Sequence, residues 1–282
     1  EIYRSYRSQL KFKTPDQLPK TEKVHFFELC KKYDTLFFDA WGTLYIENRA
    51  LDNAVETIQR LRQRGAMVRM VTNNSSMTPD ALARETSAIG FDFKPHEIIS
   101  SSQLLQSEVN LLNIKEAFHL GRKNSLEIVL RSHIAPVEEP KEPVVILTST
   151  PSPEDHQRMV DQAEKILKRE GAQLLILNPD AMAPYLDGGY GETAGALGWR
   201  LANRTGCETR YSGKPFPELF QLAIDSLPST PQNILMVGDT MGTDIVGAQM
   251  AGIDSLLLLQ GNSRSADWKR DAQQLQCSPN YV

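Results

Sequence analysis

Strand-sized apolar runs alternate with amphipathic stretches along this chain, and that alternation restricts the fold more than any other feature of the sequence. Thr35–Phe38 is short and wholly apolar after its threonine, as a strand buried on both faces would be. Residues 53–64 follow, with Val55, Ile58 and Leu61 spaced for one helical face and Gly65 as a stop. Residues 67–71 read as the next strand. Thr78-Pro79 opens a further helix, closed by Gly90, with proline where its missing N–H has no partner to lose. Later, a helix is predicted over 217–226, a strand over 234–237, a helix over 244–251 stopped by Gly252, and a last strand over 255–259. Such alternation with short loops predicts right-handed βαβ units around a parallel sheet, a doubly wound α/β core.

The middle of the chain interrupts this pattern. Residues 135–143 are rich in proline and charge and read as a loop. A strand over 144–148, a long amphipathic helix over 153–170 and a strand over 173–177 come next. The last strand runs into Asn178-Pro179-Asp180, and residues 181–191, rich in glycine and proline, read as a loop. This stretch has the makings of a separate α/β unit. The expected organisation is core at 1–110 with an N-terminal helical extension that includes a short helix over 23–32, an inserted unit at 111–206, and core again at 207–282. The length, 282 residues, accommodates two modest domains.

Composition excludes several function classes. A net charge of −4 with scattered lysine and arginine gives no field for nucleic acid. No apolar run approaches the roughly 18 residues of a membrane-spanning helix, and residues 1–13 lack the apolar segment of a secretory signal. Three cysteines far apart in sequence argue against a disulfide framework and point to the cytoplasm. The five histidines show no metal-ligand spacing. Gly189-x-Gly191 lies too far from the preceding strand to be a dinucleotide loop.

Four short motifs remain. Asp39-x-x-Gly42-Thr43, Thr72-Asn73 and Gly238-Asp239-x-x-x-Thr243-Asp244 each follow a predicted strand, and Lys214-Pro215 precedes a helix. Ligands of open parallel sheets bind at the carboxyl ends of the strands. Asp39 and Asp239 would stand on neighbouring strand ends, where two carboxylates make a hard-oxygen site for Mg2+. Asp39 alone is equally a turn residue; beside Asp239 it can act as a carboxylate nucleophile in phosphoryl transfer. Asp244 either supports the metal site or caps the helix after it, and the roles are compatible. Lys214 is either a point charge near a phosphate or part of a surface turn. Thr72 offers a hydroxyl and an N–H to phosphate oxygens.

In this order and context the motifs resemble the haloacid dehalogenase superfamily of hydrolases, over roughly residues 34–261. The insert between the second and third motifs is similar to that of its type IIA branch, the nitrophenyl-phosphatase-like enzymes. The resemblance implies a Rossmann-like core under an α/β cap. It implies hydrolysis of a small phosphorylated metabolite through an aspartyl-phosphate on Asp39, with Lys214 in the catalytic set. Mg2+ would be held by Asp39, the backbone carbonyl of Trp41, Asp239 and Asp244. Thr72, Asn73 and Lys214 would bind phosphate, and Asn178 and Asp180 would meet the substrate from the cap. Such caps can also pair two copies into a homodimer.

One position departs from that pattern. Most phosphatases of the superfamily carry a second aspartate two residues after the nucleophile, as general acid and base; here it is Trp41. An indole cannot shuttle a proton in that way, and losing such a group costs about 10²–10⁴-fold in rate. Three readings follow. The chain is a phosphatase whose substrate has a good leaving group or whose proton donor lies elsewhere, with Asp180, Asp187 and Glu192 as candidates. Alternatively it is a weak or inactive phosphometabolite-binding sensor or scaffold. The third reading is a carbon–halogen or phosphonate hydrolase. Dehalogenases carry an aromatic residue here but do without Mg2+, which fits poorly with the retained Asp239 and Asp244.

Overall fold

The computed structural model describes residues 1–10, 18–228, 233–264 and 266–282, without the side chains of residues 7 and 8. Part of the expected N-terminal extension, residues 11–17, lies outside the described residues.

The core is a five-stranded, all-parallel sheet. Thr35–Phe38 is central, Met67–Thr72 and Ile98–Ser100 lie to one side, and Ile234–Gly238 and Asp254–Leu257 to the other. The central strand is buried along its whole length. Alternation sends Leu36 and Phe38 into one apolar layer and Phe37 into the opposite one. The first layer holds Ile58 and Leu61 from Ala54–Gln63 and Leu82 from Pro79–Ala88. The second holds Leu219 and Phe220 from Pro217–Asp225 and Ala248 from Val246–Ala251. The core is thus an α/β sandwich covered on both faces, the expected Rossmann-like class. Thr78 caps the helix it was expected to open, its Oγ1 accepting the Ala81 N–H at 3.3 Å.

A second five-stranded parallel sheet is built from the inserted segment. Its order is Glu208–Tyr211, Gln173–Ile176, Val144–Leu147, Glu116–Leu120, Ala135–Pro136. His156–Leu167 and Ala194–Thr205 cover one face, and Leu105–Leu112 and Leu126–Arg131 the other. Glu208–Tyr211, expected in the returning core, pairs with Gln173–Ile176 of this second sheet. Its half-buried, polar character gave no apolar run to detect. The segment 181–191, expected as a loop, instead carries an antiparallel hairpin of Met182–Pro184 and Tyr190–Glu192. The predicted helix at 23–32 is confined to Phe26–Cys30, and that at 153–170 to His156–Leu167.

One close contact fixes a turn within the insert, and one aromatic cluster joins the two units. Gly195 lies so close to Pro179 and Asp180 that a Cβ would strike their carbonyl oxygens, which fixes the Asn178-Pro179-Asp180 turn against a helix. The N-terminal helix Ile2–Gln9 places Tyr6 between Tyr211 of the second sheet (4.6 Å between ring centroids) and Phe216 of the core (5.9 Å).

His119, on an inserted strand, sits 3.1 Å from Ser125 Oγ and 2.9 Å from Thr148 Oγ1. Burial pushes its ring down from 6.5 to about 4. The folded state therefore favours the neutral ring, and the stability this contributes is present above pH 6.5 and lost as pH falls toward 4. The unfolding midpoint should drop across that window in the native chain and drop less in His119→Gln. Equal pH profiles would remove His119 from the account.

Candidate active site

The sheet explains why distant residues meet. Asp39 immediately follows the central strand, its N–H donating to the Val237 carbonyl at 2.9 Å. Asp239 immediately follows the adjacent strand. Met241–Ile245 then makes one wide turn, with the Thr240 carbonyl accepting from both Asp244 N–H and Ile245 N–H, and this returns Asp244 to the same spot. Oxygens of Asp39, Asp239 and Asp244 lie within 4.8 Å of one another, and all three residues are buried.

Lys214 is the cation among them. It is 1 % exposed, with Nζ 2.5 Å from Asp39 Oδ1, 2.8 Å from Asp244 Oδ1 and 2.8 Å from the Val71 carbonyl oxygen. Burial acts to lower its pKa, but the charges of Asp244 and Asp39 outweigh that and raise it, so it is an ammonium here. The carboxylates show the converse. Burial, then the charge of Asp39, pushes Asp239 well above the usual carboxylate range. Burial lifts Asp244 to about 7, with Lys214 opposing. With one ammonium among three buried carboxyl groups, the surplus is driven toward the protonated form, and a bound cation would relieve that.

The donor set fits a hard divalent cation. All three side chains are acidic oxygens, as such ions require. The surroundings also crowd the ligand positions. Asp239 Oδ2 accepts the Asn262 N–H at 2.6 Å, Oδ1 accepts the Thr240 hydroxyl at 3.1 Å, and Asp244 Oδ2 accepts the Thr240 N–H at 3.0 Å. Gly42 (φ +87°) and Gly261 (φ +51°) wall the Asp239 carboxylate so tightly that a Cβ on either would overlap it.

Asp39, Trp41, Thr72, Asn178 and Asp180 line one cavity of about 230 Å3 between core and insert. The Asn73 side chain faces the neighbouring backbone and the Asp180 turn. Its Oδ1 accepts the Lys214 N–H at 2.6 Å, and its Nδ2 donates to the Lys214 carbonyl and to Asp180 Oδ1, both at 3.0 Å. Both ends of the amide are thus committed to holding Lys214 and the cap turn. Thr72 Oγ1 accepts the Asn74 N–H at 3.2 Å. Asn178 Oδ1 accepts the Asp180 N–H at 2.9 Å, which closes the turn locally.

Trp41 reaches across the cavity. Its indole N–H donates to the Pro184 carbonyl of the inserted hairpin at 2.8 Å, and its ring meets Tyr45 edge-on at 5.9 Å. Of the three acids considered as substitute proton donors, Asp187 accepts the Gly189 N–H in the exposed hairpin turn. Glu192 lines the cavity but pairs with Arg200 at 2.6 Å. Asp180 lines it too, and burial lifts its carboxyl to about 6, against the pull of Lys214.

Sequence reasoning missed the residues that close the site from elsewhere. Asn262 donates to Asp239 and Thr240. Tyr3 packs on Gly242 and accepts the Ala181 N–H at 3.1 Å beside Asp180. Arg122 and Ser149 line the cavity from the inserted sheet. No motif marks them, because their positions follow from how the two units meet.

Two family models match the chain, one described as haloacid dehalogenase-like hydrolase over residues 36–135 and one as HAD-hydrolase-like over 211–282. Among curated proteins, an acid sugar phosphatase of Staphylococcus haemolyticus is 24% identical over 244 residues, 86% of this chain and 92% of the relative. Among solved structures, a possible sugar phosphatase of the HAD superfamily from Cytophaga hutchinsonii has a TM-score of 0.83 at 25% identity, covering 93% of this chain and 97% of that one. A glycerol phosphate phosphatase of Mycobacterium tuberculosis, solved with calcium, has a TM-score of 0.67 at 25% identity, covering 82% and 67%. Matched over residues 36–135 and 211–282 by models of one superfamily, and resembling phosphatases over most of its length, this chain is a hydrolase of the haloacid dehalogenase superfamily.

Proposed function

We propose that the chain is a Mg2+-dependent phosphatase of the type IIA kind, with residues 111–206 and the strand at 208–211 as its cap. It acts on a small phosphorylated metabolite through an aspartyl-phosphate on Asp39. One observation carries this reading: Asp39, Asp239, Asp244 and Lys214 converge at the carboxyl end of the core sheet, under a cavity of metabolite size. The similarity to acid sugar phosphatases supports the substrate class.

Asp39, the Trp41 carbonyl, Asp239 and Asp244 are the proposed ligands of Mg2+, which when bound would offset the repulsion between carboxylate and phosphate. Asp39 is the proposed nucleophile, with Lys214 orienting one oxygen and leaving the other for attack. Lys214 would also neutralise phosphoryl oxygens, and Thr72 would bind them. The Asn73 side chain holds Lys214 in register, which leaves its backbone N–H as its proposed contact to phosphate. Hydrolysis of the aspartyl-phosphate by water would restore Asp39. Trp41 supplies no proton, so substrates with good leaving groups are favoured.

With Mg2+, p-nitrophenyl phosphate should be hydrolysed roughly 10²-fold or more faster than a simple alkyl phosphate, since the leaving group lacks an acid. Asp39→Asn should lower the aryl rate by roughly 10³-fold or more. Failure of the native chain to release phosphate above the Asp39→Asn background would favour the sensor reading instead.

Mg2+ should raise the melting temperature of the native chain by mass action on the folded state. Asp239→Asn should abolish most of that rise; an undiminished rise would place the ion elsewhere.

Trp41→Phe keeps an aromatic ring but loses the bond to Pro184. One such bond contributes about 1 kcal/mol, so KM should rise about fivefold while kcat changes little. An unchanged KM would show that the indole does not hold the cap.

A further inference from the structure

Arg122 is the one cation lining the catalytic cavity among the described residues. It stands just past Glu116–Leu120 of the inserted sheet, whereas Asp39 lines the cavity from the core sheet. Its backbone is pinned. The Arg122 N–H donates to Ser149 Oγ at 2.9 Å, and its carbonyl accepts the Ser125 hydroxyl at 2.7 Å. Its guanidinium differs from its neighbours. Arg131, Arg158, Arg200, Arg204 and Arg210 each pair with a carboxylate, and Arg169 donates to two backbone carbonyls. Arg122 has no side-chain partner among the described residues. Glu192, the acid of the same cavity that could neutralise it, is held by Arg200 instead.

An exposed guanidinium without a side-chain partner among the described residues, on a residue that lines the cavity together with Ser149 and Thr150, is a receptor for an anionic group. The phosphoryl group has its own partners at Asp39, Thr72 and Lys214. We propose that Arg122 forms a second subsite, in the cap, for a carboxylate at the end of the substrate away from the phosphate. The preferred substrates are then small phosphorylated carboxylic acids. This rests on the phosphatase reading and adds the class of molecule. A carboxylate is favoured over a second phosphate on charge. Arg122 balances one negative charge, and Asp180 and Glu192 line the same walls. The cavity of about 230 Å3 also lies below the roughly 300–1,000 Å3 of pockets for drug-sized ligands.

Two aryl esters matched in leaving group test it: 4-(carboxymethyl)phenyl phosphate and 4-ethylphenyl phosphate. The native chain should prefer the first by about tenfold in kcat/KM, through KM, as a charge-assisted pair would give. In Arg122→Gln the ratio should fall to near one, and Arg122→Lys should recover part of it. A native ratio near one, or a ratio unaltered in Arg122→Gln, overturns the subsite. Better turnover of 1,4-phenylene bisphosphate than of the carboxylate ester overturns the carboxylate assignment. If neither ester is turned over at all, calorimetric titration of the native chain and Arg122→Gln with both esters decides. Preference for the carboxylate ester that is lost in Arg122→Gln retains the subsite while the phosphatase reading falls; equal binding of the two esters overturns the subsite.

Discussion

Asp39, Asp239 and Asp244 crowd around a single ammonium, and the rest of the structure answers to that concentration of charge. Bringing like charges together away from water is costly, and it persists only where partners and a rigid frame hold the groups in place. The parallel sheet is that frame. It fixes Asp39 and Asp239 on adjacent strand ends, and a wide turn brings Asp244 back to them. Lys214 arrives on the link that returns from the inserted sheet, so the residue that neutralises Asp39 also ties the two units together. Asn73 clasps the Lys214 backbone and the Asp180 turn at once, which adds a second tie between core and cap.

The same economy of contacts shows at Trp41. A carboxylate there could exchange a proton with a leaving group; the indole instead bonds the cap hairpin at Pro184. Arg264 donates to the Gly188 carbonyl of the same hairpin, and Asn262 links Asp239 with Thr240.

Much of this was legible in the sequence, for a physical reason. Asp39 and Asp239 lie just past strand ends, and strand ends can be read from short apolar runs such as Thr35–Phe38 and Ile234–Gly238. The α/β class followed from the same runs. The illegible parts depend on contacts between units. Glu208–Tyr211 is polar and half-buried, so nothing in its composition announced a strand of the second sheet. Asn73 stands beside Thr72 in sequence, but adjacency says nothing about where an amide points, and it points at Lys214. The bond from Trp41 to Pro184, 143 residues away, has no local signal in the sequence.

The central proposal is covalent: a phosphoryl group passes through Asp39. The most direct measurement is mass spectrometry of the peptide containing Asp39, from protein quenched in acid during turnover of p-nitrophenyl phosphate with Mg2+. The account predicts that this peptide gains the mass of one phosphoryl group, on Asp39, and that no other acidic residue is labelled. Steady phosphate release with the peptide unlabelled at every quench time, or with the label on a different residue, would contradict it.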